Sequence, residues 1–245
     1  AELNAFYRMI DKKRFQLECL GGIRWLYLHE KLLFKAHSHS VPGSSFGVSF
    51  YNTLDRFGTT NNLLAAQLEI DARYRVKKWH LDGIFKGGLG PIFQKVKIEG
   101  SSETSDGNVF FLTKGTGNQI LNGGIFAEPN NIGTHKKHPV AWNFETKIQM
   151  GFEVTRHIEI HLGYAFLWIS KVLRPGDQID RKINSTQTAL ADASRATVGI
   201  GPGPISFESP PGPAPVPSGP NRPKVLFKTT TFWAQGLNAG IQFNF

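Results

Sequence analysis

The sequence predicts an all-β chain folded as an antiparallel up-and-down transmembrane β-barrel, and three observations predict it. Long segments alternate with period two, apolar residues on one face and charged residues on the other. Several apolar faces are bracketed by aromatics about ten to twelve positions apart, Phe15 to Tyr27 and Trp233 to Phe245 among them. That spacing matches the ~9 to 11 residues of a tilted membrane strand between interfacial girdles. The connections are also unequal, with tight turns near Asp11 to Lys13, Lys77-Lys78 and Thr155-Arg156 and long excursions at 100–141 and 173–230. Short turns at one end and long loops at the other are the habit of outer-membrane barrels.

Composition agrees without deciding. The 245 residues are 40% hydrophobic with a mean hydropathy of −0.24, and a barrel that is apolar only at alternate positions has such an average. No run approaches the roughly 20 apolar residues of a membrane helix. Gly is abundant at 26 residues and aromatics reach 12%, which favours strands and turns. The single cysteine, Cys19, has no internal disulfide partner and is expected to pack as a small apolar group. The chain starts at Ala1 with neither Met nor a leader, so an upstream part is expected to be missing. The net charge of +9 is spread singly and mixed with Asp and Glu, with no basic helix or RNA-binding aromatic motif; nucleic acid is not an expected partner, and lipid head groups are.

The strands follow in order. A short first strand has Leu3, Ala5, Tyr7 and Met9 outward; the next has Phe15, Leu17, Cys19, Gly21, Ile23, Trp25 and Tyr27 against Arg14, Gln16, Glu18 and Arg24. Residues 63 to 76 alternate Leu64, Ala66, Leu68, Ile70, Ala72, Tyr74 and Val76 with Gln67, Glu69, Asp71, Arg73 and Arg75. After Lys77-Lys78 the apolar row resumes at Trp79, Leu81, Gly83 and Phe85. Pairing Val76 with Trp79 sets Arg73 opposite Asp82 and Glu69 opposite Lys86, so charge supports the same register. Lys-Lys is poor in a tight primed turn, and a four-residue loop is an alternative.

Because Phe46, Val48 and Phe50 share parity with Leu64 to Val76, residues 46–77 read as one long strand, interrupted near Gly58 to Asn62, that projects past the bilayer beside 13–36. A further hairpin pairs Phe144 to Val154 with Ile158 to Trp168, and the last strand presents Trp233, Leu237, Ala239, Ile241, Phe243 and Phe245 on one face. The expectation is one partial barrel domain over 1–245 with about seven long strands. Bacterial single-chain barrels have even strand numbers, so at least one more strand is expected on the N-terminal side.

The segments LGGIRWLYL (20–28), GGIFAEPNNIG (123–133), LRPGDQIDRKIN (173–184) and TTFWAQGLNAGIQFNF (230–245) resemble the putative beta barrel porin-7 family of planctomycete-type outer-membrane proteins, over most of the chain. The resemblance implies a bacterial outer-membrane barrel with further strands upstream and supplies no substrate. A final strand ending on Phe245, with Leu237, Ile241 and Phe243 at alternate positions before it, is similar to the signal read by the barrel-assembly machinery, an implied partner during biogenesis.

On this reading Glu18, Arg24, Glu69, Asp71, Arg73, Arg75, Asp82, Lys86, Glu145, Lys147, Glu153 and Glu159 face the lumen. Trp25, Tyr74, Trp79, Phe152, Leu162, Tyr164, Trp168 and Phe243 face lipid. In a wide pore the first set would tune ion selectivity, and in a narrow barrel it would pair and fill the interior. Three functions stay open: a porin-like channel for small solutes or ions, a non-conducting structural or surface-display barrel, and a soluble β-sandwich binding module. No Ser-His-Asp or Cys-His constellation can be placed, so neither catalysis nor a cofactor is expected. His157, Glu159 and His161 share a face, but alternate positions nearly 7 Å apart suit one metal ion poorly. Asp177 and Asp180 are too few for a Ca2+ site. The glycines at Gly87, Gly88, Gly90, Gly115 and Gly117 lack the lysine and helix of a phosphate loop. Residues 202–223, holding nine of the fourteen prolines, suggest an extended external loop.

Overall fold

The structure, a computed structural model, describes residues 1–39, 50–104, 119–189, 191 and 216–243. Phe46, Val48, Gly115, Gly117, Phe245 and most of the proline-rich stretch fall outside these. The described residues form one antiparallel sheet of nine strands. Seven make an up-and-down path in chain order: β1 (Glu2–Lys12), β2 (Phe15–His39), β3 (Phe50–Val76), β4 (Trp79–Thr104), β7 (Val140–Glu153), β8 (Ile158–Leu173) and β9 (Thr229–Phe243). Two short strands, β5 (Gln119–Leu121) and β6 (Gly133–Lys137), pair with the far half of β4, beyond the reach of β7. Among the described residues the sheet is not closed, for β1 pairs only with β2 and β9 only with β8.

The charge-supported register is the observed one. Val76 pairs with Trp79, Arg73 with Asp82 and Glu69 with Lys86. The β3–β4 turn is the tight alternative, only Lys77 and Lys78 standing between the strands, and Lys77 takes a left-handed φ of 52°. That conformation costs a non-glycine residue about 1 kcal/mol, against a ladder of more than twenty cross-strand pairs behind it.

Two expectations need correction. First, β3 runs without a break from Phe50 to Val76, every residue as far as Tyr74 opposite one of β2; Gly58 to Asn62 interrupt nothing, because Thr59 and Asn61 point inward and are buried. Second, the alternation of β1 shifts at Met9. A bulge lies between Arg8 and Ile10, so Ile10, not Met9, pairs with Leu17 on the row of Tyr7. The stretch 100–141 is also richer than a loop, for it holds the end of β4, β5, β6 and the first residues of β7.

At about 3.3 Å per residue the 27 residues of β3 would extend roughly 90 Å, more than twice what a bilayer needs. Strands β2, β3 and β4 therefore have two halves. In the half near the turns the outer row is apolar and exposed: Trp25, Leu68, Tyr74, Trp79, Phe85, Ile148, Leu162, Leu237 and Phe243 are all at least two-fifths open to their surroundings. A sandwich would bury such rows against a second sheet, and here a single sheet leaves them bare. In the projecting half the outer row turns polar.

Candidate functional site

The concave face is the candidate site, and its curvature is set by contacts between strands that are not neighbours. Arg24 on β2 pairs with Glu145 on β7, with β3 and β4 between them. Glu2 on β1 accepts from Lys86 Nζ on β4 at 2.9 Å, and Lys86 also meets Glu69 at 3.3 Å. His80 on β4 reaches over β7 to Glu159 on β8 at 3.2 Å. Neighbouring strands lie about 4.8 Å apart in a flat sheet, so strands two or three positions away meet only because the sheet curls toward its charged side. Glycines make room. The ring of His80 lies over Gly151, the amide of Asn238 over Gly163 and the ring of His161 over Gly240, each pair directly opposite in the ladder, and a Cβ at any of these glycines would collide with that side chain.

All twelve residues read from the sequence as lumenal lie on this concave face. Glu18 stands opposite Asp71, Arg73 opposite Asp82, Lys86 between Glu69 and Glu145, Ile84 between Asp71 and Lys147, and Glu153 opposite Glu159; Arg24 and Arg75 share the parity of Glu18 and Arg73. Arg24 and Glu69 are buried, 5% and 6% exposed, whereas Arg73 and Arg75 near the turns are open. The eight residues read as lipid-facing lie on the convex face, where Trp25 is 50% and Leu162 55% exposed. Leu237, Ile241 and Phe243 of the terminal pattern share that face.

Sequence periodicity did not find the next layer. Above the charged zone the inner row becomes apolar: Leu63, Ala65, Ile92, Ala141, Ile169 and Val172 form a buried cluster with Leu26, Leu28, Leu167 and Phe232 packed against it. Higher still, Phe57, Val96, Ile98 and Leu173 are covered by Phe126, Ala127, Ile132, Ile179, Val225 and Phe227 from the connecting segments. Those segments thus fold inward over the projecting half.

Buried polar groups fasten this cap. Asp55, fully buried on β3, accepts from the backbone N–H groups of Ile125, Phe126 and Ala127 at 3.0 to 3.1 Å. Three charge-assisted bonds from one turn leave that backbone little freedom. Asn61 donates to the carbonyl of Leu173 at 3.0 Å and accepts from its N–H at 2.9 Å, joining β3 to the end of β8. Asp180 accepts from Arg222 at 2.7 Å and from the N–H of Lys224 at 2.9 Å. Burial pushes the Asp180 carboxyl up, but Arg222 and the N–H groups of Lys224 and Lys182 outweigh it and hold the group below the usual carboxylate range. Glu128 behaves oppposite in sign: burial, reinforced by the nearby charge of Asp55, pushes it up to about 7 although the N–H of Ala189 donates to it at 2.8 Å.

The metal candidates resolve into other contacts. Glu159 faces His80 and His161 lies over Gly240; among the described residues no group of three His, Cys, Asp or Glu side chains could hold an ion. Asp177 sits 3.6 Å from Lys228 and Asp180 is taken by Arg222. Sequence reasoning missed Glu2, Asn61, Asp55 and Glu128. Only Asp55 left a trace, an acid on the row of Thr53 and Phe57.

No curated protein and no solved structure matches the chain. A family does. An open meander with a bare apolar convex face and a charged concave one is a barrel wall in form, and the family profile described as putative beta barrel porin-7 matches residues 1–245, so the chain belongs to that family.

Proposed function

We propose that this chain forms the wall of a bacterial outer-membrane β-barrel, its convex apolar band in the hydrocarbon and its concave charged face toward the lumen. The observation that carries the reading is the band itself: exposed Trp25, Leu68, Leu81, Trp142, Leu162 and Trp233 lie on neighbouring strands, a continuous apolar surface far larger than a soluble monomer exposes. The end with the short turns faces the periplasm and the projecting, capped end faces outward. Porin-type passage of small solutes or ions is the function that this architecture and the family support. Planar-bilayer recording tests it: discrete conductance steps from the refolded full-length protein are expected. A heat-modifiable, fully folded barrel that stays silent would remove the channel.

A second reading, a non-conducting barrel that displays its loops, is favoured by the cross-strand pairs Arg24–Glu145 and Lys86–Glu2 and by the cap that Asp55 and Asn61 fasten over the concave face. The same recording separates the two. A cap that blocks passage predicts that Asp55→Ala raises the open probability of an otherwise quiet barrel.

A further inference from the structure

The outer row changes chemistry in one step at the upper edge of the apolar band. Tyr27 and Phe93 close the band on either side of Asn62. Two residues on, His29, Thr60, Lys95 and Lys136 lie side by side across β2, β3, β4 and β6. The following row holds Lys31, Gly58 and Lys97, and Arg56 stands just beyond. With strands about 4.8 Å apart and same-face neighbours under 7 Å, five cations crowd one patch. Among the described residues a single carboxylate answers them: Glu99 binds Lys97 at 2.5 Å and Arg56 at 3.3 Å, and these two cations hold its carboxyl below the usual range. Lys31 and Lys95 have no acidic partner among the described residues.

Gly58 lies at the centre, where a side chain would stand between Lys31 and Lys97. A Cβ built there would come no nearer than 3.8 Å to any neighbour, so the floor is open. The surrounding cleft encloses about 250 Å³. Such a patch could serve any anion, but its height selects one. It begins one row above the aromatics of the band, where tyrosine and phenylalanine end and lipid head groups begin. Lysines there reach the phosphates of the adjoining leaflet while their stems lie on the strand surface.

We propose that Lys31, Lys95 and Lys97, with Arg56, form a site around Gly58 for the phosphate-bearing head group of a lipid in the leaflet that borders the projecting end. The proposal rests on the membrane reading above, and its test separates the two. The full-length protein is refolded into phosphatidylcholine vesicles and floated on a density gradient; failure to float defeats the membrane reading and the site with it. Floated protein is then moved to nanodiscs of phosphatidylcholine with a minority of phosphatidylglycerol, and the lipid retained on gentle extraction is measured by native mass spectrometry.

Wild type is expected to keep phosphatidylglycerol in preference. Lys31→Gln/Lys95→Gln/Lys97→Gln is expected to lower that preference about tenfold or more, while a control at the opposite end, Lys12→Gln/Lys13→Gln/Lys77→Gln, keeps most of it. Equal loss in both triples, or none in the first, would overturn the site while leaving the barrel standing. Displacement of the lipid from wild type by equimolar inorganic phosphate would show a free-anion site instead and would overturn the lipid assignment.

Discussion

The same three strands, β2, β3 and β4, are built on opposite principles in their two halves. Near the turns the outside is apolar and the inside ionic: Leu68 and Trp79 face out, Glu69 and Lys86 face in. In the projecting half the outside is ionic and the inside apolar: Lys97 and Glu99 face out, Phe57 and Ile98 face in beneath the cap. The period of two never changes, and the switch falls between the rows of Tyr27 and His29. Alternation therefore says only that two faces differ; the solvent on each side decides which face carries the grease. The lower half is built as a membrane wall would be, with its apolar row outward, and the upper half, on the same backbone, keeps its apolar residues inside.

One charge placed on the outer row of each half separates the two halves most strongly. Leu162→Arg, in the apolar band, is expected to cost about 2 to 4 kcal/mol, read from denaturant titration of the protein in lipid vesicles. Leu33→Arg, on the outer row of the projecting half, is expected to cost less than about 0.5 kcal/mol in the same titration, as an exposed surface substitution does. Equal costs would mean that the halves do not differ. On the inner row Gln149→Arg, among existing charges, is expected to fall below Leu162→Arg.

The cap offers a change of intermediate size. Asp55→Ala strips the acceptor from three backbone N–H groups and is expected to loosen residues 123–128 by about 2 kcal/mol, seen as faster hydrogen exchange there while the strands of the lower half stay protected. Uniform loss of protection would make the cap part of the barrel's own cooperative unit. A smaller, pH-dependent effect belongs to Glu128. Its folded pKa, about 7, lies above the ordinary 4.5, so the protonated form is the better fit. The stability that it lends is complete below the ordinary value, falls as pH rises toward 7 and is gone beyond it. Protection around Ala189 should decline over that window in wild type, after correction for intrinsic exchange, and stay level in Glu128→Gln.

The strands of the lower half were legible because each obeys a rule local to one or two strands. Arg73 with Asp82 and Glu69 with Lys86 fixed a register across a hairpin, and the aromatics from Phe15 to Tyr27 marked where the band ends. The upper half was legible only as projection. Nothing local says that Asp55 will receive the backbone of residues 125–127, seventy positions away, or that Asn61 will hold Leu173. The ties Arg24–Glu145 and Glu2–Lys86 were likewise hidden, because partners separated by two strands depend on how far the sheet curls. The bulge at Met9 escaped for a different reason: Met9 and Ile10 are both apolar, so the row reads the same whichever of them faces out.

Whether one outer row passes from hydrocarbon into water along a single strand can be read with spin labels on β3 in lipid, placed singly from Asn52 to Val76 in a chain whose Cys19 has been replaced. Collision with oxygen against a water-soluble nickel complex reads the solvent at each position. Oxygen-rich, nickel-poor labels are expected at Leu64, Leu68, Ile70 and Tyr74, and nickel-accessible ones at Asn52, Arg56 and Thr60. Nickel access at Leu68 equal to that at Arg56 would mean that both halves meet the same solvent and that no such passage exists.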